Sequence, residues 1–478
     1  MKVCFVARPN FDKLSSHLYL ALKQRLGKNF AAGFITCNAK ESSYIKQSVG
    51  DSKVYQLNSF IEKHWDELSL EKLCKYEKKF QCYPIWEYIY TDRILIDRPY
   101  KYTVKMAAGL FMFFEDIFST GDYEYYYDEP VSTLLTYAAY IVGEYYGVKY
   151  ICQMAGRTHV KTHHYFVTDP YQHNAFLKYE SDFTDEEIQA ADSFLTEFEQ
   201  NSIEKQNAVF GFAEPKIEWV YLKLAFLELF DKSYKDKFDY INYELYKSHF
   251  DRFKFYFRYK KIKKLFTPAD YNKKYIYYPL HYQPEASTIV CAQKYEKQLI
   301  YIDHIAKSLP ADTLLYLKEH YVLLGHKEIS FYKEIKRYPN VVLVSPWDDG
   351  KKLIMNSQAV ITLTGTAGWE AMLLRKPVIL GGHIFFDNAP GIMQTNEIYQ
   401  NYTSLIQSWE KPEREEIINY LCAYFRTLKQ GHVYAAIPEC YTEENINNLA
   451  DALIKEVDSL NEEYSNNPGP KRLAEIKG

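Results

Sequence analysis

At 478 residues the chain exceeds what one ordinary hydrophobic core organises, so two or three domains are expected. Apolar residues at 47% and charged residues at 25% describe a folded globular protein, and a net charge of −4 gives no general electrostatic case for nucleic acid. No run approaches 18 consecutive apolar residues, which argues against a membrane-spanning helix.

The opening residues, MKVCFVARP, read as a strand and lack the apolar core and cleavage site of a signal peptide. The eight cysteines show neither CxxC nor zinc-ligand spacing, which fits reduced thiols and a cytoplasmic protein. The 46 tyrosines suit sugar stacking, and equally suit a compositional bias spread along the chain.

A strand over 3–7, the loop Arg8-Pro9-Asn10, a helix over about 15–26 and a strand near 32–37 predict an α/β domain with a parallel sheet. Its ligand edge then lies at the strand ends, near Arg8 and Asn10. Residues 58–115 read as helical and aromatic. The segment YEYYYDEP runs into an apolar helix over about 131–146, so Asp128 and Glu129 fall between a strand end and a helix start. Two readings fit them: a base that deprotonates an acceptor hydroxyl, or helix caps ahead of Pro130.

A strand over 148–154 leads into Gly156-Arg157-Thr158-His159 and His163-His164. The histidines come without a carboxylate or cysteine pattern, so no metal is expected there. Arg157 has the donor fork that grips a carboxylate or phosphate, and a surface ion pair suits it as well. Residues 182–264 read as a charged helical insertion. Its end, KSHFDRFKFYFRYKKIKKLF, has Asp251 as its single acid and fits an anionic membrane surface, an acidic polymer or a solvated helix packed by its aromatic face. The linker 267–270 closes a first domain over 1–270.

A second α/β domain is expected over 271–430. A strand at 275–278 enters a loop carrying His281, Pro284, Glu285 and Ser287, followed by a helix over about 288–308. The strand at 314–318 ends on Lys318, Glu319 and His320; another at 341–344 precedes Trp347. Then comes AVITLTGTAGWEAMLLRKPVILGG: a buried strand, the turn Gly365-Thr366-Ala367-Gly368, a helix with Trp369, Met372 and Leu373 on one face, and a second strand. Such a turn aims backbone N–H groups past the strand end, which suits a phosphate, with the Thr364 and Thr366 hydroxyls as further donors. Glu370 either accepts from ribose hydroxyls or is simply an acid near a helix's positive end. His281, His320, Trp347 and Thr364 thus recur at successive strand ends, where α/β sheets bind ligands. C-terminal helices over 431–463 and a disordered tail over 464–478 complete the chain.

In their order, YYPLHYQPEAST, LYLKEH, VSPW and ITLTGTAGWEAMLLRKPVI resemble the bacterial capsule polysaccharide biosynthesis proteins, which include β-Kdo transferases. The resemblance is strong over 275–390 and weaker over 129–169. It implies a GT-B architecture, two Rossmann-like domains facing a cleft, with the nucleotide-sugar donor on the C-terminal domain and the acceptor on the N-terminal one. By resemblance, His320 and Lys318 contact donor phosphate, Thr364, Gly365 and Thr366 cradle it, and Glu370 binds ribose. The chain departs from the family at Tyr321, where His-Pro is usual, and at Arg375, where Gly-Lys-Pro is usual.

The expectation is therefore a metal-independent, cofactor-free glycosyltransferase of surface polysaccharide. It would move Kdo or a nonulosonic acid from its CMP-activated form to a glycan or lipid-linked glycan. Glu129 is the expected base, with Asp128 second; His281 orients the sugar or its carboxylate, and His320 and Lys318 assist the departing phosphate. Glu319, Trp347, Gly368, Pro284, Glu285 and Ser287 complete the donor set, and Arg8, Asn10 and Arg157 serve the acceptor or sugar carboxylate. A cytoplasmic location is expected; peripheral contact with the inner membrane or a capsule assembly complex stays open. So do a UDP-sugar transferase or epimerase, a CDP-glycerol-type phosphotransferase, and a non-catalytic polysaccharide-binding scaffold.

Overall fold

The segment KVCFV forms the first strand, β1 (Lys2–Val6), because its β-branched and aromatic residues are buried on both faces, as a parallel strand covered by helices requires. The computed structural model describes residues 1–8, 11–50, 52–158, 162–175, 177–178, 182–200, 214–217, 219–244, 246–295, 297–395 and 400–466. Two compact units emerge.

The first unit comprises Met1–Phe176, Lys235–Tyr243 and Thr427–Gly478. With β1 it contains β2 (Ala31–Thr36), β3 (Lys53–Gln56), β4 (Tyr125–Tyr127), β5 (Lys149–Ala155) and β6 (His163–Val167). In the second unit, Leu177–Tyr234 with Glu244–Arg426, lie β7 (Tyr275–Pro279), β8 (Leu314–Lys318), β9 (Val341–Val344), β10 (Val360–Thr362), β11 (Val378–Leu380) and β12 (Ile392–Gln394). The last strand, β13 (Lys429–Gln430), returns to the first unit.

In the first sheet the order is β13-β6-β5-β4-β1-β2-β3, parallel from β3 to β5 and antiparallel at β6 and β13. Chain order therefore runs outward in both directions from the β1/β4 boundary. Helix Phe11–Leu26 covers one face with Leu14, Leu18, Ala21 and Leu22, spaced for one helical stripe. The same core takes Leu449, Leu453 and Val457 of helix Glu443–Asn466.

The second sheet, β12-β11-β10-β7-β8-β9, is parallel throughout. Here β7 is central: later strands build outward on one side through β8 and on the other through β10. Ile276, Tyr278, Leu315, Leu317, Leu343, Ile361 and Ile379 make a core with Tyr301, Ile305 and Tyr332 from the covering helices. The α/β class is thus present, as two units each built on a largely parallel sheet.

The grouping of the helices differs from the sequence expectation. Helix Asp185–Gln200, expected as part of an insertion in the first unit, goes with the second: Arg414 reaches Asp192 Oδ1 at 2.9 Å and Glu199 Oε2 at 2.8 Å, and Arg426 reaches Glu187 Oε1 at 2.6 Å. Helix Tyr246–Ile262 buries Tyr259 and Ile262 in the second core. Only 235–243 returns to the first unit, where Tyr240 is buried and its hydroxyl donates to Asp92 Oδ2 at 3.2 Å. The helix expected over 288–308 is two pieces, Ala286–Ile289 and Gln298–Lys307. Most of the tail, 467–478, lies outside the described residues.

Among the described residues no helix is long and apolar enough to cross a membrane.

Candidate functional site

Where the strand order of an open parallel sheet reverses, the loops leaving two adjacent strands part and open a crevice at their C-terminal ends. In the second unit that boundary is β7/β10, and the loops leaving it carry His281 and the Gly365 turn.

His281 is 7% exposed and is held through both its backbone and its ring. Its N–H donates to Gln298 Oε1 at 2.9 Å, and its C=O accepts from Gln298 Nε2 and Lys327 Nζ, each at 3.3 Å. The imidazole Nε2 accepts from the Leu363 amide at 3.0 Å and lies 2.9 Å from Thr362 Oγ1. A backbone amide only donates, so Nε2 is the bare nitrogen and the proton sits on Nδ1. Burial, reinforced by Lys327 and His320, holds the pKa down to about 3. At neutral pH His281 is an uncharged donor, not a base.

The edge of the ring bearing that N–H lies beside Gly365. A Cβ on Gly365 would fall 2.8 Å from Thr362 Oγ1 and 3.0 Å from His281 Cε1, so only glycine fits without displacing the network. Gly365 also donates its N–H to Thr362 Oγ1 at 3.1 Å and is the N-cap of helix Thr366–Leu373. At that helix start the N–H groups of Thr366 and Ala367 precede the first bond of the turn, from the Gly368 amide to the Gly365 carbonyl, and amides at such a position suit an anion. Thr366 itself is exposed. Gly368 lets the helix lie against the sheet, its missing Cβ 3.0 Å from Thr362 Cγ2 and 3.2 Å from Leu380 Cδ2.

Thr364 behaves differently from its expected role. It is buried and its hydroxyl donates to the Ser287 carbonyl, so it ties the glycine turn to the loop after β7 instead of offering a donor to a ligand. Ser287 in turn donates its hydroxyl to Glu285 Oε2 at 2.8 Å. Pro284 and Glu285 are exposed on the same loop, and Glu370 is half-buried one turn into the following helix.

At the end of β8 the three candidates separate. Glu319 is fully buried; it accepts from Lys327 Nζ at 2.9 Å, Tyr332 hydroxyl at 2.6 Å and the His320 amide at 2.9 Å. It therefore anchors Lys327 under the His281 carbonyl and does not face a ligand. His320 is exposed. Its Nδ1 accepts from the Val322 amide at 3.3 Å, leaving Nε2 protonated, and its ring stacks on Tyr321 at 4.8 Å. Partial burial, then Lys318 and Lys327, bring its pKa to about 4. Lys318 is half-buried, and Trp347 is exposed after β9.

In the first unit the reversal lies at β1/β4, and there Arg8 meets both expected acids. Arg8 Nη2 is 3.2 Å from Asp128 Oδ1 and pairs with Glu129 as well. Asp128 is buried and also accepts from Tyr126 hydroxyl at 2.5 Å and the Glu129 amide at 2.7 Å. Burial outweighs the Arg8 charge and raises its pKa to about 6. Glu129 accepts from Ser132 hydroxyl at 3.0 Å and keeps 26% of its side chain exposed, so it is the carboxylate that a ligand can reach.

Neither acid caps the next helix. That role falls to Thr133, with helix Leu134–Tyr146 starting after it and the Leu134 amide bound to Asp92 Oδ2 at 2.9 Å. Arg157 is exposed past β5; Asn10 and His159 lie outside the described residues. His164 is buried, its Nε2 2.9 Å from Gln153 Nε2 and its Nδ1 3.3 Å from the Gly431 carbonyl, a structural placement.

Sequence reasoning passed over Gln298, Lys327 and Thr362 in the second unit, and Glu41 and Asp239 in the first. Burial raises the last two to about 7 and about 6, and Asn38 Nδ2 bridges them at 3.0 Å each.

Residues 213–428 match the family model described as capsule polysaccharide biosynthesis protein. No curated protein sequence matches the chain. Among solved structures it is similar to the Thermosulfurimonas dismutans KpsC β-Kdo 2,7 transferase, with 13% identity over 72% of this chain and 89% of that one and a TM-score of 0.35. The KpsC β-Kdo 2,4 transferase of the same organism gives 11% identity, 64% and 81% coverage and a TM-score of 0.38. The Methanocaldococcus jannaschii UDP-GlcNAc 2-epimerase in complex with UDP-GlcNAc and UDP gives 11% identity, 89% and 99% coverage and a TM-score of 0.29.

Proposed function

We propose that this chain, whose residues 213–428 belong to the capsule polysaccharide biosynthesis protein family, is a glycosyltransferase that takes a sugar from a nucleotide-activated donor. The observation that carries this reading is the meeting of the His281 Nδ1–H edge with the Gly365 turn at the β7/β10 reversal. A neutral donor, a glycine with room only for backbone, and the N–H groups of a helix start suit the phosphate of such a donor.

In the reaction, an acceptor hydroxyl oxygen bonds to the anomeric carbon while the carbon–oxygen bond to phosphate breaks. The hydroxyl proton passes to a base and the nucleotide leaves with the electron pair. Glu129, as the reachable carboxylate of its site, serves as the base. Lys318, His320 Nε2–H and the amides of Thr366 and Ala367 stabilise the leaving phosphate. Glu370 takes the ribose hydroxyls, and His281 Nδ1–H meets the phosphate or the sugar carboxylate. The family resemblance over 275–390 favours a CMP-activated acidic sugar, Kdo or a nonulosonic acid, passed to a glycan or lipid-linked glycan.

Thermal-shift measurements against CMP, CDP, UMP, UDP and GDP test this directly, because a ligand at about 100 times its Kd stabilises by about 2.7 kcal/mol. Stabilisation by cytidine nucleotides, lost in His281→Ala, is the expected result. If no nucleotide stabilises the chain while a polysaccharide does, the protein is a glycan-binding scaffold instead. Mass spectrometry of products separates sugar transfer from epimerisation or glycerol-phosphate transfer.

A further inference from the structure

Helix Trp219–Phe230, WVYLKLAFLELF, takes no part in either site. A surface helix ordinarily turns polar residues outward. Here Trp219, Val220, Leu224, Phe226, Leu227 and Phe230 are 70, 55, 37, 49, 60 and 77% exposed. Lys223 is the one charged residue among the exposed positions of this helix. At 12 residues the helix is far too short to cross a bilayer.

Its neighbour is of the opposite character. Helix Tyr246–Ile262 is fixed to it by Arg252 stacked on the Tyr221 ring at 3.6 Å and by His249 Nε2 at 3.2 Å from Glu228 Oε2. Between 246 and 264 it and the following turn carry eight lysines and arginines against one acid, Asp251, in a chain whose net charge is −4. Lys260, Lys261, Lys263 and Lys264 are exposed, and Phe257 is 57% exposed beside them. Phe250, Phe253 and Phe257 line a shallow groove with Lys254, Arg258 and Lys261.

We propose that this pair of helices docks on the surface of an anionic lipid bilayer. The exposed apolar side chains enter the boundary between headgroups and acyl chains, and the cations meet the lipid phosphates. Charge and apolarity together select this occupant. A second copy of the chain would bring two strongly basic strips together. An acidic glycan would satisfy the lysines but leave Trp219, Leu227 and Phe230 in water. Lipid docking is independent of the transfer chemistry and of either candidate site.

The test is sedimentation of the full chain with phosphatidylcholine vesicles, and with vesicles in which roughly a third of the lipid is phosphatidylglycerol. Binding at least about tenfold stronger to the anionic vesicles, and weakened in about half-molar salt, is expected. Lys260→Glu with Lys261→Glu should cut binding by about tenfold or more, since each cation near the surface contributes about a fivefold factor. Leu227→Ser with Phe230→Ser should do the same, and neither pair should alter circular dichroism or the nucleotide thermal shift. Should the serine pair misfold, the charge-reversed pair decides alone. Equal binding to both vesicle types, binding to neither, or wild-type binding by the charge-reversed pair would overturn the proposal. So would a concentration-dependent dimer that Phe230→Ser dissolves, or binding to an acidic polysaccharide without binding to vesicles.

Discussion

The Leu363 amide donates to His281 Nε2 across 3.0 Å, so a backbone group at the end of β10 decides which tautomer a side chain of the β7 loop carries. The consequence is chemical: the nitrogen left to face the Gly365 turn is an N–H. His281→Ala removes that donor and strands the Leu363 amide, at a stability cost of about 1–3 kcal/mol. Nucleotide affinity should fall by about tenfold or more. In the wild type, affinity for a ligand whose phosphodiester does not titrate should be flat between pH 5.5 and 8, because the histidines of this site have their pKa at about 3 and about 4. Titration calorimetry across that range checks it, and an inflection near the ordinary histidine pKa would exclude a neutral donor.

Gly365→Ala makes a second test of the same corner. The added Cβ meets Thr362 Oγ1 at 2.8 Å and His281 Cε1 at 3.0 Å, and both are pinned by other hydrogen bonds. Overpacking of this kind costs about 1–3 kcal/mol and opens the turn. A lowered Tm together with loss of the nucleotide thermal shift is expected. Gly27→Ala is the control: its Cβ would meet nothing within 4 Å, although φ there is +55°, so Tm falls modestly and nucleotide binding persists.

Glu129 and Asp128 are adjacent in sequence but differ in reach, and their amide variants should part accordingly. Glu129→Gln removes the partly exposed carboxylate; turnover should drop by about 10²–10⁴ with folding largely kept. Asp128→Asn acts on a buried group held by Arg8, Tyr126 and the Glu129 amide, so its main effect should be on Tm. Loss of turnover in Asp128→Asn at unchanged Tm, with turnover kept in Glu129→Gln, would reassign the base to Asp128. Initial-rate assays paired with thermal melts distinguish these outcomes.

Local pattern made much of this legible. Continuous apolar runs, tyrosine-rich in β7, leucine-rich in β8 and β-branched in β9 to β11, marked these strands, and the glycine turn after β10 stood out because its backbone must come close to something. What the sequence withheld is non-local. Thr362 reads only as a strand residue until His281 arrives from 81 positions away, and Lys327 reads as a loop cation until Glu319 and the His281 carbonyl converge on it. Helix Asp185–Gln200 joined the second unit through Arg414, a pairing across more than 200 residues that no local periodicity encodes. Thr364 reads as a free donor for the same reason: its hydroxyl partner, the Ser287 carbonyl, lies 77 residues back.

Acid should act on the two units in opposite senses. In the second, His281, His320 and His326 have pKa values lowered to about 3, 4 and 4 from the ordinary 6.5, with burial the first cause in each. Between those values and 6.5 the unfolded chain binds more protons than the folded one, so stability present above 6.5 is lost as pH falls. Raised Asp348 offsets this only in part. In the first unit, burial raises Asp128, Glu41 and Asp239 to about 6, 7 and 6 from ordinary values of 3.8, 4.5 and 3.8. There the folded chain binds more protons between the two values, so stability grows as pH falls from about 7 toward 4, opposed mainly by His164 at about 4. Exposed ion pairs add little on either side. Hydrogen exchange at pH 5 and pH 7, corrected for intrinsic rates, should show protection of β7 and β8 weakening at the lower pH while that of β1 and β4 holds or strengthens. Parallel loss of protection in both sheets would mean that the buried acids of the first unit do not take up protons as the fold requires.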